Sequence, residues 1–240
     1  MADQRSTLAA LARRAAPARA RQLVRWLPAR LGYGTGPRLM SWLRKQWVLL
    51  RHPHGEVRFG RDVYLGPGFS LHMPDAGAFI VGDGVQLRRD FRCEISDRGR
   101  VTIGAGSQLT YSVLIQCSTT IDIGRNCSLG QATILIDGQH RYRDLSRPII
   151  HQGFDFHPLR IADEAVVTSK CTVMADIGER ALIGANAVVT RPIPAYTIAV
   201  GAPARPIDYF GPPGQEPAEL ANASTGGQPA EPGSPRAGRP

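Results

Sequence analysis

Hydrophobic residues recur at every sixth position along the middle of the chain, in six sets of three. The sets are Phe59, Leu65 and Leu71; Val81, Leu87 and Cys93; Ile103, Leu109 and Ile115; Ile123, Leu129 and Leu135; Ile161, Val167 and Val173; and Ile177, Ile183 and Val189. A period of six fits neither an α-helix nor an amphipathic strand, but it fits a short strand and a bend repeated around a three-sided column. All changes in spacing fall after the third member of a set, which places the length variation at one corner. The pattern therefore predicts an all-β fold, a parallel β-helix of about six triangular turns.

Two segments outside the repeat divide the chain into three predicted parts. Residues 1–55 form a basic arm with amphipathic helices predicted over 5–31 and 38–51, separated by a glycine-rich stretch. Residues 56–209 form the β-helix domain, in which residues 136–160 are a long loop. Residues 210–240 are rich in Pro, Gly, Ala and Ser and are predicted to be a disordered tail.

The positive charge of the chain is concentrated in the arm. The net charge is +9, yet residues 1–51 hold eleven of the 29 basic groups and one acid, so the remainder is close to neutral. The arm also holds all three tryptophans, Trp26, Trp42 and Trp47. Arginine-rich helices with Trp and Leu suit an anionic membrane surface, and the same helices could instead cap the first turn of the column. We find no nucleic-acid recognition motif and expect no nucleic-acid partner.

The cysteines and the N-terminus both indicate a cytoplasmic protein. Cys93, Cys117, Cys127 and Cys171 are widely spaced and form no Cys-x-x-Cys pair, which favours buried free thiols over disulfides or zinc ligands. No apolar run approaches the roughly 20 residues that cross a bilayer, and the N-terminus lacks the apolar core of a secretory signal. The membrane interpretation of residues 1–51 would place the protein at the inner face of the membrane.

The end of the repeat carries a family resemblance. Residues 177–207, IGERALIGANAVVTRPIPAYTIAVGAPARPI, closely resemble the end of the hexapeptide-repeat acyltransferases, in particular the maltose, galactoside and polysaccharide O-acetyltransferase group. The resemblance covers residues 57–209 at the level of the repeat and 120–207 at the level of motifs. It implies a left-handed β-helix, an exception to the usual right-handed crossover. It also implies a homotrimer with active sites between neighbouring columns and acetyl-CoA as co-substrate.

The one long insertion contains the candidate catalytic residue. It includes Asp137-Gly138-Gln139-His140-Arg141-Tyr142, where the family pattern is Asp-His-x-His-x-Tyr. By resemblance His140 is the general base, and Gly138 replaces the first histidine of the pattern. An imidazole suits this role because it can be neutral at cytoplasmic pH and accept a hydroxyl proton. The expected reaction is direct transfer to the hydroxyl, with the oxyanion stabilised by a backbone N–H that the resemblance assigns to Ser169.

The resemblance assigns the remaining site residues as well. Positions that contact the cofactor correspond to Gly184, Ala185, Thr190, Arg191 and Arg205, and positions that contact the acceptor correspond to Asp137, Tyr142, Thr110 and Ser112. Arg191 replaces the common Lys and can bind a phosphate bidentately. Val166-Val167-Thr168 stands where the family has Trp-Ile-Gly, which changes the expected acceptor and adenine contacts. No metal ligand is expected.

These features predict an acyl-CoA-dependent O-acetyltransferase that acts on a sugar or glycan precursor in polysaccharide biosynthesis. Two alternatives stay open on the sequence: an N-acetyltransferase of a nucleotide-linked amino sugar, and a non-catalytic β-helix scaffold. A β-helical carbonic anhydrase would need three histidines around zinc, yet outside the loop the β-helix domain offers only His72.

Overall fold

The structure is a computed structural model that describes residues 35–221. Its elements are α1 (Thr35–Arg51), β1 (Glu56–Phe59), β2 (Tyr64–Leu65), β3 (Ser70–His72), β4 (Ala78–Val81), β5 (Gln86–Leu87), β6 (Arg92–Ile95), β7 (Arg100–Ile103), β8 (Gln108–Leu109), β9 (Leu114–Cys117), β10 (Thr120–Ile123), β11 (Ser128–Leu129), β12 (Ile134–Ile136), β13 (Gly138–His140), a 3-10 helix (Ile149–His151), β14 (Phe154–Phe156), β15 (Leu159–Ile161), β16 (Val166–Val167), β17 (Thr172–Val173), β18 (Leu182–Ile183), β19 (Val188–Val189), β20 (Thr197–Val200), β21 (Arg205–Tyr209) and α2 (Ala218–Ala221).

Three parallel sheets form the sides of a column. Side A is β1-β4-β7-β10-β15, side B is β2-β5-β8-β11-β16-β18-β20, and side C is β3-β6-β9-β12-β17-β19. Single bridges extend side A from Ile161 to Ile177 and on to Ile193. Because the chain visits the sides in the order A, B, C and then returns to A one coil further along, the fold is a β-helix, and it is left-handed. The predicted fold class is confirmed.

The residues spaced by six are in register from coil to coil. On side B, for example, Leu65 pairs with Leu87, and Leu87 pairs with Leu109. All eighteen predicted positions are buried except Phe59 and Leu71, which are half-buried in the first coil. The periodicity therefore predicted the inward-facing row of each side.

The structure adds a second inward-facing row, two residues before each predicted position. On side B this row is Val63, Val85, Ser107, Cys127, Ala165, Ala181 and Thr197, all buried. The period-six pattern does not include this row, because its members vary in size and polarity. Ser107 shows how a polar member is accommodated, since its hydroxyl donates to the Gly124 carbonyl at 2.8 Å and accepts from the Cys127 N–H at 2.9 Å.

All four cysteines are free and buried, as predicted. Burial raises the pKa of Cys117 to about 12, and the nearby charge of Asp137 adds to that effect. Burial also raises the pKa of Cys93 and of Cys127 above the usual value. These three thiols therefore stay protonated and unreactive at neutral pH.

Helix α1 caps the first coil. Strand β2 begins side B, so its outer edge would otherwise expose unpaired backbone groups. The Ser41 hydroxyl accepts a hydrogen bond from the Leu65 N–H at 2.8 Å. Arg44 Nη1 donates to the Leu65 carbonyl at 3.0 Å, and Lys45 Nζ donates to the Val63 carbonyl at 3.1 Å. The capping interpretation thus describes this helix, which begins three residues before the predicted 38–51. The helix predicted over 5–31 lies outside the described residues, as does Trp26.

Strand β21 closes the opposite end of side B by pairing antiparallel with β20. The Phe210 N–H then donates to the Tyr196 carbonyl at 3.0 Å, and α2 follows. Residues 210–221 of the predicted tail therefore lie within the described structure, and 222–240 lie outside it. Between residues 35 and 221 no helix is both long and apolar enough to cross a membrane.

Candidate functional site

All of the predicted site residues except Arg205, which begins β21, lie on two corners of the column. Corner BC, where the chain turns from side B to side C, carries Thr110, Ser112, Ser169, Gly184 and Ala185. Corner CA, where it leaves side C, carries Asp137, His140, Tyr142, Thr190 and Arg191. Side C lies between them, and about five residues at roughly 3.3 Å per residue give a separation on the order of 15 Å. A single chain therefore does not bring the roots of the two groups together.

Corner BC forms a line of residues parallel to the column axis. The Thr110 N–H donates to the Leu129 carbonyl at 2.9 Å, and the corresponding bond recurs two coils later between Thr168 and Ile183 at 3.0 Å. Adjacent coils are separated by about 4.8 Å, so Thr110 lies roughly 10 Å from the level of Ser169. The predicted acceptor, oxyanion and cofactor positions of this corner thus follow one another along a single line.

Ser169 has a backbone donor that is available to a ligand. Its N–H has no hydrogen-bond partner among residues 35–221, while its carbonyl accepts from the Asn186 N–H at 3.1 Å. The next residue, Lys170, adopts a left-handed conformation with φ 60° and donates its own N–H to Gln131 at 2.8 Å. An unpaired N–H held at a rigid turn is the kind of group that an oxyanion site requires.

The two predicted acceptor residues of corner BC differ in availability. The Thr110 hydroxyl is half-buried and donates to the Leu129 carbonyl at 3.0 Å. Ser112 is exposed at a left-handed turn position with φ 58°, and its hydroxyl has no partner in the described part of the chain. Ser112 can therefore hydrogen-bond a ligand without breaking an internal contact.

The long loop is a β-hairpin rather than an irregular segment. Strands β13 and β14 pair antiparallel, with His140 opposite Phe154. The imidazole of His140 lies against the ring of Phe154 with centroids 4.1 Å apart, and Phe154 stacks on Phe156 at 5.6 Å. The imidazole is exposed and forms no hydrogen bond with the described residues. Both of its ring nitrogens are thus open to a ligand or to a neighbouring molecule.

The stacked aromatic rings explain why Gly138 departs from the two-histidine pattern. A Cβ at Gly138 would lie 2.7 Å from Cδ1 and from Cε1 of Phe156. No side chain fits at this position while the Phe156 ring stays where it is. The ring thus occupies the space that the first histidine of the family pattern would need.

Asp137 supports the hairpin instead of facing outward. Its side chain is 5% exposed, and its carboxylate accepts hydrogen bonds from the Ser118 N–H at 2.9 Å and from the Thr119 N–H at 2.6 Å. The Thr119 hydroxyl adds a third contact at 2.8 Å. The resemblance assigns Asp137 to acceptor binding and gives no sign of this structural role. The role depends on contacts with Ser118 and Thr119 of the preceding coil, which the structure shows.

The hairpin carries a cleft of about 420 Å³. Its lining residues are Gln139, His140, Arg141, Tyr142, Arg143, Asp144, Arg147, Gln152 and Asp155. Every one of them belongs to the hairpin, so the cleft includes no residue of corner BC. His140 and Tyr142 share this cleft, as the motif predicts for two residues of one site.

Charged contacts brace the cleft. Arg141 Nε lies 2.6 Å from Asp155 Oδ1, and Arg147 Nε lies 2.7 Å from Asp144 Oδ2. Hydrogen bonds from Ser146 and then from Arg147 lower the pKa of Asp144. The Arg143 guanidinium instead lies over the Tyr142 ring, 5.3 Å from its centroid. Arg143 therefore keeps its hydrogen-bond donors available for an anionic group.

The predicted cofactor residues are largely on the surface. Thr190 and Arg191 follow β19 and are exposed, and Arg191 has no ion-pair partner within residues 35–221. Arg205 opens β21, is exposed, and donates from Nη1 to the Ala204 carbonyl at 2.8 Å. Gly184 has a packing role, because a Cβ there would lie 2.7 Å from Cγ1 of Val200.

An apolar strip on the outer face of side C joins the two corners. It consists of Leu114, Ile134, Ile136, Met174 and Val188, all half-buried. Leu114 pairs with Ile134 in the β9–β12 register, so the strip runs along the column. The period-six count follows only inward positions and so does not include this strip; its signal in the sequence is an apolar residue next to the inward one, before it at Leu114, Ile134 and Val188 and after it at Ile136 and Met174.

Among the described residues, no three His, Cys, Asp or Glu side chains come together in a way that could hold a metal ion. The only histidines of the hairpin besides His140 are His151 and His157, both exposed.

The chain is similar in sequence to proteins named as acetyltransferases. No family model matches the chain. A protein named as a probable acetyltransferase of Mycobacterium tuberculosis is 31% identical over 171 residues, which cover 68% of this chain. The chain spans 56% of the length of that relative. A second protein, named as a putative acetyltransferase of Schizosaccharomyces pombe, is 39% identical over 90 residues, which cover 36% of this chain and 42% of that protein.

Solved structures share the fold. A hexapeptide-repeat acetyltransferase from Vibrio cholerae, complexed with acetyl-coenzyme A, superposes with a TM-score of 0.51 at 18% identity and covers 70% of this chain and 79% of its own. A mutant of AntD, an N-acyltransferase from Bacillus cereus in complex with dTDP and coenzyme A, gives a TM-score of 0.56 at 17% identity. That likeness covers 73% of this chain and 92% of the AntD chain.

Proposed function

The chain belongs to the hexapeptide-repeat acyltransferase family, and from that premise we propose that it is an acetyl-CoA-dependent O-acetyltransferase acting on a sugar or glycan precursor. The observation that carries the proposal is the arrangement of two complementary groups on two corners. Corner CA presents an open imidazole, and corner BC presents an open N–H beside small residues. These are the parts that acyl transfer from a thioester needs.

The active site would form between two copies of the chain in a homotrimer. The roots of the two corners are separated by the width of side C, so His140 of one copy would face Ser169 of the next. The apolar strip from Leu114 to Val188 supports this arrangement. It lies between corner BC and corner CA, and half-buried apolar side chains at this place suit an interface between two copies.

In the proposed reaction His140 accepts the proton of an acceptor hydroxyl as its oxygen attacks the thioester carbonyl of acetyl-CoA. The Ser169 N–H donates to the oxyanion of the tetrahedral intermediate. When the carbon–sulfur bond breaks, the protonated imidazole returns the proton to the thiolate of CoA. The products are the acetyl ester and CoA with a free thiol, and no acyl-enzyme forms.

Coenzyme A would lie along the column near its last coils. Arg191 and Arg205 are exposed cations that could bind its phosphates, and Thr190, next to Arg191 in the chain, adds an exposed hydroxyl. The Ala185 N–H has no partner within the described residues and could hydrogen-bond the pantetheine arm. Gly184 allows Val200 to close over this surface.

The acceptor would contact Ser112 and Thr110 on corner BC and Tyr142 on the hairpin.

A second candidate function is N-acetylation of a nucleotide-linked amino sugar. The observation that favours it is Arg143, which lines the cleft and forms no ion pair within residues 35–221, so that its guanidinium donors suit a diphosphate. AntD, which shares the fold, is an N-acyltransferase bound to dTDP, while the O-acetyl assignment rests on the motif around His140.

The location that fits this chemistry is the cytoplasm, where acetyl-CoA is available. Four free cysteines agree with a reducing compartment.

The test is transfer of acetyl from acetyl-CoA to a panel of free sugars, glycan precursors and nucleotide-linked amino sugars, followed by mass spectrometry. An ester product that hydroxylamine cleaves supports O-acetylation, and a resistant amide supports the second candidate.

The role of His140 is tested by substitution. His140→Ala should lower kcat at least about 100-fold, while the matched control His151→Ala, at another exposed hairpin histidine, should leave kcat unchanged. Near-normal turnover by His140→Ala would refute the mechanism, and failure of the wild type to bind acetyl-CoA in calorimetry would favour the non-catalytic scaffold.

A further inference from the structure

The outer surface of α1 is apolar although the helix caps the column. Seven hydrophobic side chains on it are 41% to 72% exposed, namely Leu39, Met40, Trp42, Leu43, Trp47, Leu49 and Leu50. At 100° per residue they cover roughly half of the helix circumference, and between Leu39 and Leu50 the one polar residue within that arc is Gln46. A single exposed leucine needs no explanation, but a contiguous face of this width with two tryptophans marks an interaction surface.

Hydrogen bonds to the column fix the direction of this apolar face. Ser41, Arg44 and Lys45 bind the open edge of β2, and Val48 is buried on the same side of the helix. The helix cannot turn its apolar face inward without breaking these contacts and exposing the backbone groups at the edge of β2. The face is therefore presented outward at the N-terminal end of the column.

The charge around this face is positive. Helix α1 contains four basic residues and no acidic residue, and the Arg51 guanidinium lies 5.9 Å from the centre of the Trp47 ring. Residues 1–34 add seven arginines and one aspartate. A second copy of the arm, or the chain's own residues 1–34, would bring like charges against the face, whereas an anionic lipid surface would complement it.

We propose that α1 docks the protein on an anionic membrane surface. Trp42, Trp47 and Leu50 enter the boundary between headgroups and acyl chains, and Arg38 and Arg51 lie at the level of the phosphates. The interaction is peripheral and combines apolar burial with charge attraction. It places the column with its first coil toward the membrane, so that the acyl-transfer site would work next to a lipid-linked or surface-bound acceptor.

Vesicle flotation of the full chain tests the proposal. Wild type should float with vesicles of phosphatidylcholine mixed with phosphatidylglycerol and should not float with phosphatidylcholine alone. The triple variant Trp42→Gln/Trp47→Gln/Leu50→Gln changes only exposed side chains, and its binding should fall at least about 10-fold. The control Leu145→Gln/Ile150→Gln removes apolar side chains that are 98% and 73% exposed on the hairpin, and it should bind like wild type. Equal flotation of wild type and the triple variant, or no flotation of either, would overturn the proposal.

Tryptophan fluorescence separates the lipid from other occupants of the face. In a Trp26→Phe variant the emission comes from Trp42 and Trp47 alone. Without vesicles acrylamide should quench it readily, and anionic vesicles should shift it to shorter wavelength and protect it. Protection before vesicles are added would show that residues 1–34 or a second copy already cover the face, and would refute membrane docking.

Discussion

The carboxylate of Asp137 and Thr119 lie on adjacent coils and share two hydrogen bonds, at 2.6 Å from the Thr119 N–H and 2.8 Å from its hydroxyl. Thr119 lies in the turn between β9 and β10, at the same corner of the column as the hairpin and one coil before it. His140 follows Asp137 by three residues, so this contact fixes the point from which the hairpin leaves the column. Asp137 is therefore a positioning residue for the proposed base.

Asp137→Asn should destabilise the protein and lower turnover. The amide NH₂ would face backbone N–H donors, and one or two charge-assisted hydrogen bonds would be lost, at a cost of about 2 kcal/mol in the free energy of unfolding. We expect kcat to fall with the KM for the acceptor little changed, measured alongside denaturant unfolding. A raised acceptor KM with unchanged stability would instead support the acceptor-binding role that the family resemblance assigns to Asp137.

Gly138→His, which restores the family pattern, should reduce activity rather than increase it. The new side chain would begin 2.7 Å from the Phe156 ring and would displace the stack that supports His140. Acetyl transfer measures the effect. The double variant Gly138→His/Phe156→Ala opens the space and should recover part of the loss; no recovery would mean that the clash with Phe156 is not the cause.

The sequence was sufficient for the column and insufficient for the site. Leu65, Leu87 and Leu109 could be placed in register because each coil repeats the same constraint, an aliphatic side chain facing inward at one place in the cycle. Ser107 and Cys127 belong to the second inward row, in which internally bonded polar groups and small side chains stand among larger hydrophobic ones, so the hydrophobic pattern of this row is less regular.

The site depends on contacts between segments that the periodicity does not relate. His140 was found from a local motif, but its support by Phe154, fourteen residues later, requires the antiparallel pairing of the hairpin. Asp137 likewise gains its role from residues one coil below. The separation of His140 from Ser169 followed only from knowing which corner each residue occupies.

The four buried cysteines should be unreactive in the folded protein, and Cys117 should make its stability sensitive to alkaline pH. Because burial raises the pKa of Cys117 to about 12, the folded state holds this proton more tightly than the unfolded chain. The contribution to stability is complete below pH 9 and is lost as pH rises from there toward 12. We expect all four thiols to react with Ellman's reagent only after unfolding.

A Cys117→Ala variant isolates this effect. Its free energy of unfolding should decline less steeply above pH 9 than that of wild type. Val113→Ala, which also removes volume from the buried core, should lower stability at every pH and keep the wild-type slope. Equal slopes for wild type and Cys117→Ala would show that the thiol does not titrate with unfolding.

Mixed oligomers should reveal whether the active site is shared between chains. His140→Ala disables corner CA, and Ala185→Trp, a change at an exposed residue, should obstruct corner BC. Each variant alone should be inactive. If one corner of each site comes from each of two neighbouring copies, co-refolding an equal mixture pairs intact corners at random and should restore about a quarter of wild-type activity. The control is the same two proteins mixed without unfolding, which should stay inactive because chains do not exchange. A site built within one chain would give no recovery in either sample, since every chain would carry one disabled corner.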